Sequence, residues 1–185
     1  MDMNELISQY PAIAAKAAEM GKIKQSMFNK KQYASTIDAW NALSQEEKAK
    51  LNSEMETAEV VMKKAVITPT AVCFINEGCF HVVPVKDIIW AYAHITKESV
   101  NFIPTNKVHQ VRMMDRNGNH YNLASLNTLA FSKKSPATDF LETMSNILRP
   151  VRPGIIYGYS KEIEQFCLGN LPAAVAKVDA DSQIG

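Results

Sequence analysis

Apolar and polar side chains alternate through the middle of the chain, between residues 66 and 124, and a period of two predicts β-strands. Residues 70–75 and 79–83 are rich in β-branched and aromatic types, and Asn76-Glu-Gly78 between them suits a turn with positive φ. Two such runs separated by three residues predict a β-hairpin.

More strands are predicted beyond Pro84, which marks a strand end or a bulge because proline cannot donate to the hydrogen-bond ladder. Residues 87–95 are apolar at most positions and fit either a buried strand or a short helix. Residues 97–99 predict a turn, and residues 100–103 predict a short strand that Pro104 ends.

The strongest turn signal lies at Asn117-Gly118, because a type I′ turn needs positive φ at both central residues. Residues 108–115 alternate before this turn, and residues 120–124 return after it. About six strands are therefore predicted, and their connections are too short for parallel crossovers, so the predicted sheet is antiparallel.

Helical periodicity dominates on both sides of this centre. Residues 1–65 predict two or three helices, with Asn29 as a cap and Ser44-Gln-Glu-Glu47 as a capping box. Ser135-Pro136 predicts the start of a later helix, whose wide apolar stripe suits the covering of a sheet. That stripe consists of Phe140, Leu141, Met144, Ile147 and Leu148. Residues 171–185 predict a weak helix that frays into a flexible tail.

Composition narrows the class of protein. The 185 residues are 46% hydrophobic and 21% charged, which is typical of a globular chain with one core and a helical appendage. A net charge of +1 argues against a nucleic-acid binder. The acidic start Met1-Asp-Met-Asn-Glu5 does not resemble a signal peptide, no apolar run approaches a membrane span, and three cysteines make no disulfide framework. We therefore predict a cytoplasmic protein.

Cys73, Cys79 and His81 are the candidate metal ligands. A three-residue loop would place Cys73 opposite His81, with Cys79 on the same face. This spacing matches no structural zinc motif and a fourth ligand is missing, so we predict no metal and no cofactor. The sequence also lacks a readable Ser-His-Asp or Cys-His arrangement, a Gly-rich phosphate loop, H-E-x-x-H and G-x-S-x-G, which favours a non-catalytic protein.

Three stretches resemble bacterial pleckstrin-homology-like (PH-like) domains: Val83–Trp90, Arg112–Tyr121 and Gly154–Phe166, the last being similar to the end of an uncharacterised bacterial family of that kind. The resemblance spans about residues 66–168. It implies an α+β fold in which an antiparallel PH-like split barrel is closed by a C-terminal helix and preceded by an N-terminal helical segment.

This resemblance divides the chain into a helical segment (1–65), a PH-like domain (66–170) and a flexible tail (171–185). Eukaryotic members of the fold class often bind phosphoinositides through basic residues of the first hairpin loop. The corresponding loop, Asn76-Glu-Gly78, has no basic residue and one acidic residue, which disfavours headgroup binding there.

Three functions follow as hypotheses. The leading one is a non-catalytic protein-interaction module whose edge strands accept an extended peptide; its candidate contact residues are Trp90, Tyr92, Arg112 and Met114. The alternative is a membrane-surface module that binds anionic lipid; its candidate residues are Lys133, Lys134, Arg149 and Arg152. The third is a small-molecule binder or an unrecognised enzyme that uses the inside of the bent sheet.

Overall fold

The computed structural model describes residues 2–183 and shows a mixed α+β protein, which confirms the α+β part of the predicted fold class. The helices in this range are α1 (Met3–Ser8), α2 (Pro11–Met20), α3 (Lys30–Ala42), α4 (Gln45–Thr57), α5 (Pro136–Leu148), α6 (Lys161–Gly169) and α7 (Leu171–Gln183). The strands are β1 (Val60–Val61), β2 (Ala65–Ile67), β3 (Ala71–Asn76), β4 (Cys79–Pro84), β5 (Ile88–Val100), β6 (Ile103–Asp115), β7 (His120–Leu129) and β8 (Ile156–Tyr157).

The chain divides into two compact units, Met1–Lys86 and Asp87–Gly185. Each unit has its own four-stranded sheet, with the order β1-β2-β3-β4 in the N-terminal unit and β7-β6-β5-β8 in the C-terminal unit. The described strands thus form two sheets and no closed barrel. The division also differs from the predicted boundaries near residues 65 and 170, because the strands from Val60 to Pro84 pair within the N-terminal unit.

Local sequence signals determine the N-terminal helices. The predicted capping box at the start of α4 is confirmed: Ser44 Oγ accepts from the Glu47 amide at 3.0 Å, and Glu47 Oε2 accepts from the Ser44 amide at 2.8 Å. Helix α2 packs on β3 and α3 packs on β4, while α1 and α4 pack on α2. The four helices share one core with the sheet. This core includes Met3, Ile13, Trp40, Leu51, Met55 and Phe80.

The predicted helical segment is shorter than expected. α4 ends at Thr57, and Val60 pairs with Val66 in a hairpin that turns through Met62 and Lys63 at positive φ, 49° and 58°. The β-branched residues of this stretch favour strand over helix, which explains why the helical prediction to residue 65 was wrong here.

The predicted hairpin of β3 and β4 is confirmed, but its loop has two residues, Glu77 and Gly78, with φ of 49° and 79°. Positive φ at both positions is the condition for a type I′ turn. The register places Cys73 opposite Val82 and Phe74 opposite His81. The expectation that Cys73 faces His81 was therefore wrong, because the shorter loop shifts the pairing by one residue.

His81 is a buried histidine on β4. Its ring stacks on Phe74 with the ring centres 4.7 Å apart, and its Nε2 lies 3.2 Å from Gln32 Nε2. Burial lowers the pKa of His81 to about 4. The pKa of an unfolded histidine is about 6.5, so on acidification the unfolded chain takes up this proton first. The stability due to neutral His81 is therefore present above about pH 6.5 and is lost as the pH falls towards 4.

When the pH falls from about 7.5 to about 4.5, we expect the titration of His81 to lower the free energy of unfolding by about 2.5 kcal/mol. His81→Phe keeps an aromatic ring against Phe74 and removes the titration, so this variant should lose less stability over the same interval. Urea denaturation of both proteins at the two pH values measures the difference. Equal losses in the two proteins would contradict the assignment.

The sheet of the C-terminal unit is built on two strands of 13 residues each, β5 and β6. The chain reverses between them at Asn101 and Phe102, where φ is 50° and 64°, and Val100 pairs with Ile103. The predicted turn at residues 97–99 was therefore wrong. Pro104 lies inside β6, next to a register shift at Glu98 and Ser99, and the irregular pairing there accommodates the missing amide hydrogen.

The connection between β6 and β7 has the predicted bounds but not the predicted turn type. Asn117-Gly118 lies in a loop of four residues, and within it only Gly118 has positive φ, at 80°. Asp115 shapes this loop, because its Oδ1 accepts from the Asn117 and Asn119 amides at 2.8 and 2.9 Å. Its Oδ2 accepts from the Tyr121 hydroxyl at 2.8 Å. These bonds stabilise an Asx-type turn in place of the predicted type I′ turn.

Helix α5 packs on β5, β6 and β7, as its apolar stripe predicts. Phe140, Met144 and Leu148 on this stripe are completely buried. Strand β8 pairs parallel to β5. One parallel pair therefore departs from the predicted antiparallel sheet.

Residues 171–183 form a helix, α7, as predicted, but this helix does not fray into a flexible tail within the described residues; residues 184 and 185 lie outside them. Ala174 and Val178 of α7 are buried in a cluster with Trp90 and Met114. Small residues let α7 approach the loop before β8 closely. A Cβ atom on Gly154 would lie 2.1 Å from the Val178 carbonyl oxygen.

Candidate functional site

The four residues predicted to contact a partner lie near the base of the sheet in the C-terminal unit. Trp90, Tyr92 and Met114 are buried beneath α6 and α7, with exposed fractions of 0%, 6% and 1%. Trp90 Nε1 donates to the Gly158 carbonyl at 2.7 Å, and half-buried Arg112 donates to Gln110 at 2.6 Å. A partner reaches the three buried side chains only if α6 and α7 move away, and the partner-binding role stays a prediction.

The four predicted lipid-binding residues fall into two groups at opposite ends of α5. Lys133 and Lys134 are exposed before the helix. Beyond its C-terminus, the Arg149 guanidinium lies 5.4 Å from the Tyr157 ring centre. Arg152 is buried and donates to Asp179 at 2.6 Å, which lowers the pKa of that carboxyl group. The 13 residues of α5 span about 20 Å, so the four cations form no single cluster.

A protruding arm is the most conspicuous surface feature of the C-terminal unit. Every residue from His94 to Pro104 is exposed, and at about 3.3 Å per residue the free part of β5 extends roughly 20 Å. The end of β7 lies beside this arm, because Leu129 pairs with Asn106 and the Ala130 amide donates to the Thr105 carbonyl at 3.1 Å.

Large apolar side chains gather at this end of the sheet, and we refer to them as the arm tip. They are Val100 (61% exposed), Phe102 (101%), Ile103 (66%), Leu129 (74%) and Phe131 (84%). Single exposed hydrophobic residues are normal on protein surfaces, but five at one end of a sheet make this end a candidate interaction site. The arm tip was missed in the sequence, because Pro104 suggested a strand end and hid the turn at residues 101 and 102.

The turn of the arm carries backbone strain. Phe102 adopts φ of 64°, a left-handed conformation that costs a non-glycine residue about 1 kcal/mol or more, and glycine is the residue favoured there. A bulky aromatic side chain at such a position is an outlier that points to a function for the side chain. The strain therefore supports a binding role for Phe102.

Positive charge surrounds the arm tip. Residues 94–107 and 127–135 contain Lys97, Lys107, Lys133 and Lys134 but only one acidic residue, Glu98. Lys97 pairs directly with Lys107 across the two strands, an arrangement that is destabilising without an anion between or above the charges. Lys107 Nζ also donates to the Ser132 carbonyl at 3.0 Å, which brings the second pair of lysines near the first.

His109 lies two residues from Lys107 on β6, beneath the lysines. It is 2% exposed, and its Nε2 lies 2.9 Å from Thr128 Oγ1. Burial, together with the charge of Lys107, lowers the pKa of His109. His109 is therefore neutral near pH 7, and the lysines supply the positive charge around the arm tip.

Other kinds of site find little support in the part of the chain that the structure describes. No group of three or more His, Cys, Asp and Glu is arranged to hold a metal within residues 2–183. No described helix has both the length and the apolar character needed to cross a bilayer. Two open clefts lie in the described part of the N-terminal unit. One, of about 400 Å³, is lined by α1, α2 and Lys22 and contains no histidine or tyrosine. The other, of about 550 Å³, is lined by Tyr33, Asp2 and Lys24 but is open to solvent and is not the deep closed pocket expected for a small-molecule site.

The comparisons with known proteins concern residues 31–167. This range matches a family described as Domain of unknown function (DUF6709), and it covers about three quarters of the chain, from α3 to the end of α6. The arm and its lysines lie inside the matched range. No curated protein and no solved structure shows a significant match. The chain belongs to the family described as Domain of unknown function (DUF6709).

Proposed function

We propose that this chain is a non-catalytic, PH-like module of the cytoplasm that docks on anionic membrane surfaces through the arm tip. The observation that carries the proposal is the fully exposed Phe102, held at a strained turn at the end of the β5–β6 hairpin. A convex apolar tip enters a fluid bilayer without a complementary groove, whereas a folded protein partner must supply one.

The surrounding lysines favour an anionic bilayer over a neutral one. Cations near a cytoplasmic leaflet each contribute up to about 1 kcal/mol of binding, and membrane attachment becomes stable when apolar insertion and basic charge act together. In the arm the two contributions come from the same two segments of the chain, residues 94–107 and 127–135. Arg149 and Arg152, which the sequence suggested as lipid ligands, are not needed in this proposal.

The proposal is tested by co-sedimentation of the full chain with vesicles. We expect binding to vesicles that contain phosphatidylserine and much weaker binding to phosphatidylcholine alone, with affinity falling as salt is added. Equal sedimentation with both lipids would contradict the electrostatic part of the proposal, and absence of sedimentation with both would contradict the whole of it.

Neutralising the facing lysines tests the role of charge separately. We expect Lys97→Gln with Lys107→Gln to weaken binding to phosphatidylserine vesicles about tenfold, since each lysine contributes up to about 1 kcal/mol. Lys177→Gln with Lys161→Gln, on α7 and α6, is the matched control and should change binding less. A double variant at the arm that binds as tightly as the wild type would show that these lysines lie away from the lipid.

A protein-interaction function remains the second candidate, and the edge of the sheet favours it. Strand β7 is the terminal strand of the order β7-β6-β5-β8 and has one neighbour, so its outer edge is open to an added strand. A displayed peptide library, followed by hydrogen exchange, tests this function. Selected peptides that slow exchange in residues 120–129 would support it, and peptides that leave those amides unchanged would not.

A further inference from the structure

A second surface with the same chemistry lies in the N-terminal unit, on residues 21–29, which link α2 to α3; we refer to it as the Met27 loop. Met27 is 89% exposed and Phe28 is 98% exposed. Two neighbouring large apolar side chains that are this accessible stand out in a loop whose other residues are mostly polar or charged. The loop belongs to neither of the surfaces that the sequence suggested for binding.

The Met27 loop is held in shape by a buried asparagine. Asn29 is 5% exposed; its Oδ1 accepts from the Ser26 amide at 2.7 Å, and its Nδ2 donates to the Lys24 and Glu77 carbonyls at 2.9 and 2.7 Å. Asn29 thus stands at the start of α3 as predicted, but its side chain organises the loop and does not cap the helix. Met27 and Phe28 are therefore presented by an ordered backbone.

The β3–β4 turn supports the loop from the other side. The Lys24 amide donates to the Gly78 carbonyl at 2.9 Å. Gly78 has φ of 79°, and a Cβ there would lie 2.7 Å from the Lys24 carbonyl oxygen, so the close approach needs glycine. An ordered loop loses little conformational entropy on binding, which favours insertion of its apolar residues.

Four exposed lysines flank the two apolar residues: Lys22, Lys24, Lys30 and Lys31. No acidic residue occurs between Glu19 and Asp38. The acidic groups that reach this region from other elements are Glu77, whose carbonyl Asn29 contacts, and Asp2, which accepts from the Tyr33 hydroxyl. Positive charge therefore exceeds negative charge around the loop.

We infer that the Met27 loop is a second contact site for an anionic bilayer, in which Met27 and Phe28 insert and the flanking lysines meet lipid phosphates and carboxylates. The inference takes its ligand from the proposed function but rests on other residues, in the other unit of the chain. Within the Met27 loop itself, apolar insertion and basic charge supply the two contributions that stable membrane attachment needs.

The test uses the full chain with Phe28→Trp as a fluorescent reporter. The native Trp40 and Trp90 are 2% and 0% exposed, so a change on adding vesicles reports residue 28. We expect a blue shift with phosphatidylserine vesicles, and quenching by lipids brominated on the acyl chain. An unshifted and unquenched Trp at residue 28 at lipid concentrations that sediment the protein would overturn the inference while leaving the arm proposal intact.

A partition measurement separates the two sites. Met27→Ser with Phe28→Ser should lower vesicle partition about tenfold, whereas Met62→Ser, a 40% exposed residue of the same unit, should change it little. If the wild type sediments and the Met27 loop variant partitions equally well, the inference fails alone. If the wild type binds no vesicles, both the inference and the proposed function fail.

Discussion

Replacing both aromatic residues of the arm tip, by Phe102→Gly and Phe131→Ser, should weaken partition into phosphatidylserine vesicles about 100-fold. Burying a phenylalanine side chain contributes about 1.5–3 kcal/mol, and part of that is lost at an interface where the ring stays partly hydrated. Both side chains are largely exposed, so the folded protein loses no packing. Co-sedimentation over a range of lipid concentrations measures the change.

The same variant should keep or gain stability, which separates lost binding from lost folding. Asn101 followed by glycine is the preferred type I′ pair, so Phe102→Gly relieves strain and should raise the free energy of unfolding by up to about 1 kcal/mol. Leu168→Ser, at a 52% exposed residue of α6, is the matched control and should bind vesicles normally. Undiminished binding by the arm variant would exclude the arm tip as the insertion site.

Gly154→Ala should destabilise the C-terminal unit by about 3 kcal/mol, near the upper end of the range for overpacking. The new methyl group would lie 2.1 Å from the Val178 carbonyl oxygen and 2.7 Å from Ser182 Oγ, and a backbone carbonyl cannot move aside as a flexible side chain can. Denaturant unfolding measures the loss, and hydrogen exchange should show faster exchange in α7.

Gly169→Ala provides the control for this variant, because no atom beyond its chain neighbours and its own helix backbone lies within 4 Å of a Cβ at residue 169. It should leave the free energy of unfolding nearly unchanged. If Gly154→Ala were equally harmless, α7 would not pack on the loop at Gly154. The expectation of a flexible tail from residue 171 would then describe the chain in solution better than the packed helix does.

Predictions from the sequence succeeded where a local signal determines a local structure. The Ser44 capping box, the β3–β4 hairpin and the apolar stripe of α5 each depend on residues within about one turn or one hairpin of each other. All three are present in the structure. The α+β class follows from the same signals, because the periods of two and 3.6 are separated along the chain.

Predictions failed where pairing or burial depends on distant residues. Nothing near Trp90 in the sequence indicates that α6 and α7 cover it, since Cys167 and Val178 lie far along the chain. The turn at Asn101 and Phe102 lacks the glycine that usually marks a type I′ turn, so Pro104 was the stronger local signal. The absence of glycine hid the turn, and the strained Phe102 that stands there instead is the residue on which the proposed function rests.

The depth of residue 102 in a bilayer tests the central claim most directly. The variant Phe102→Trp places a reporter at the arm tip, and Trp40 and Trp90 are too buried to respond. With phosphatidylserine vesicles, we expect a blue-shifted emission that lipids brominated along the acyl chain quench. An emission that stays at the wavelength of water-exposed tryptophan, and that brominated lipids leave unquenched while the protein sediments with the vesicles, would contradict the account.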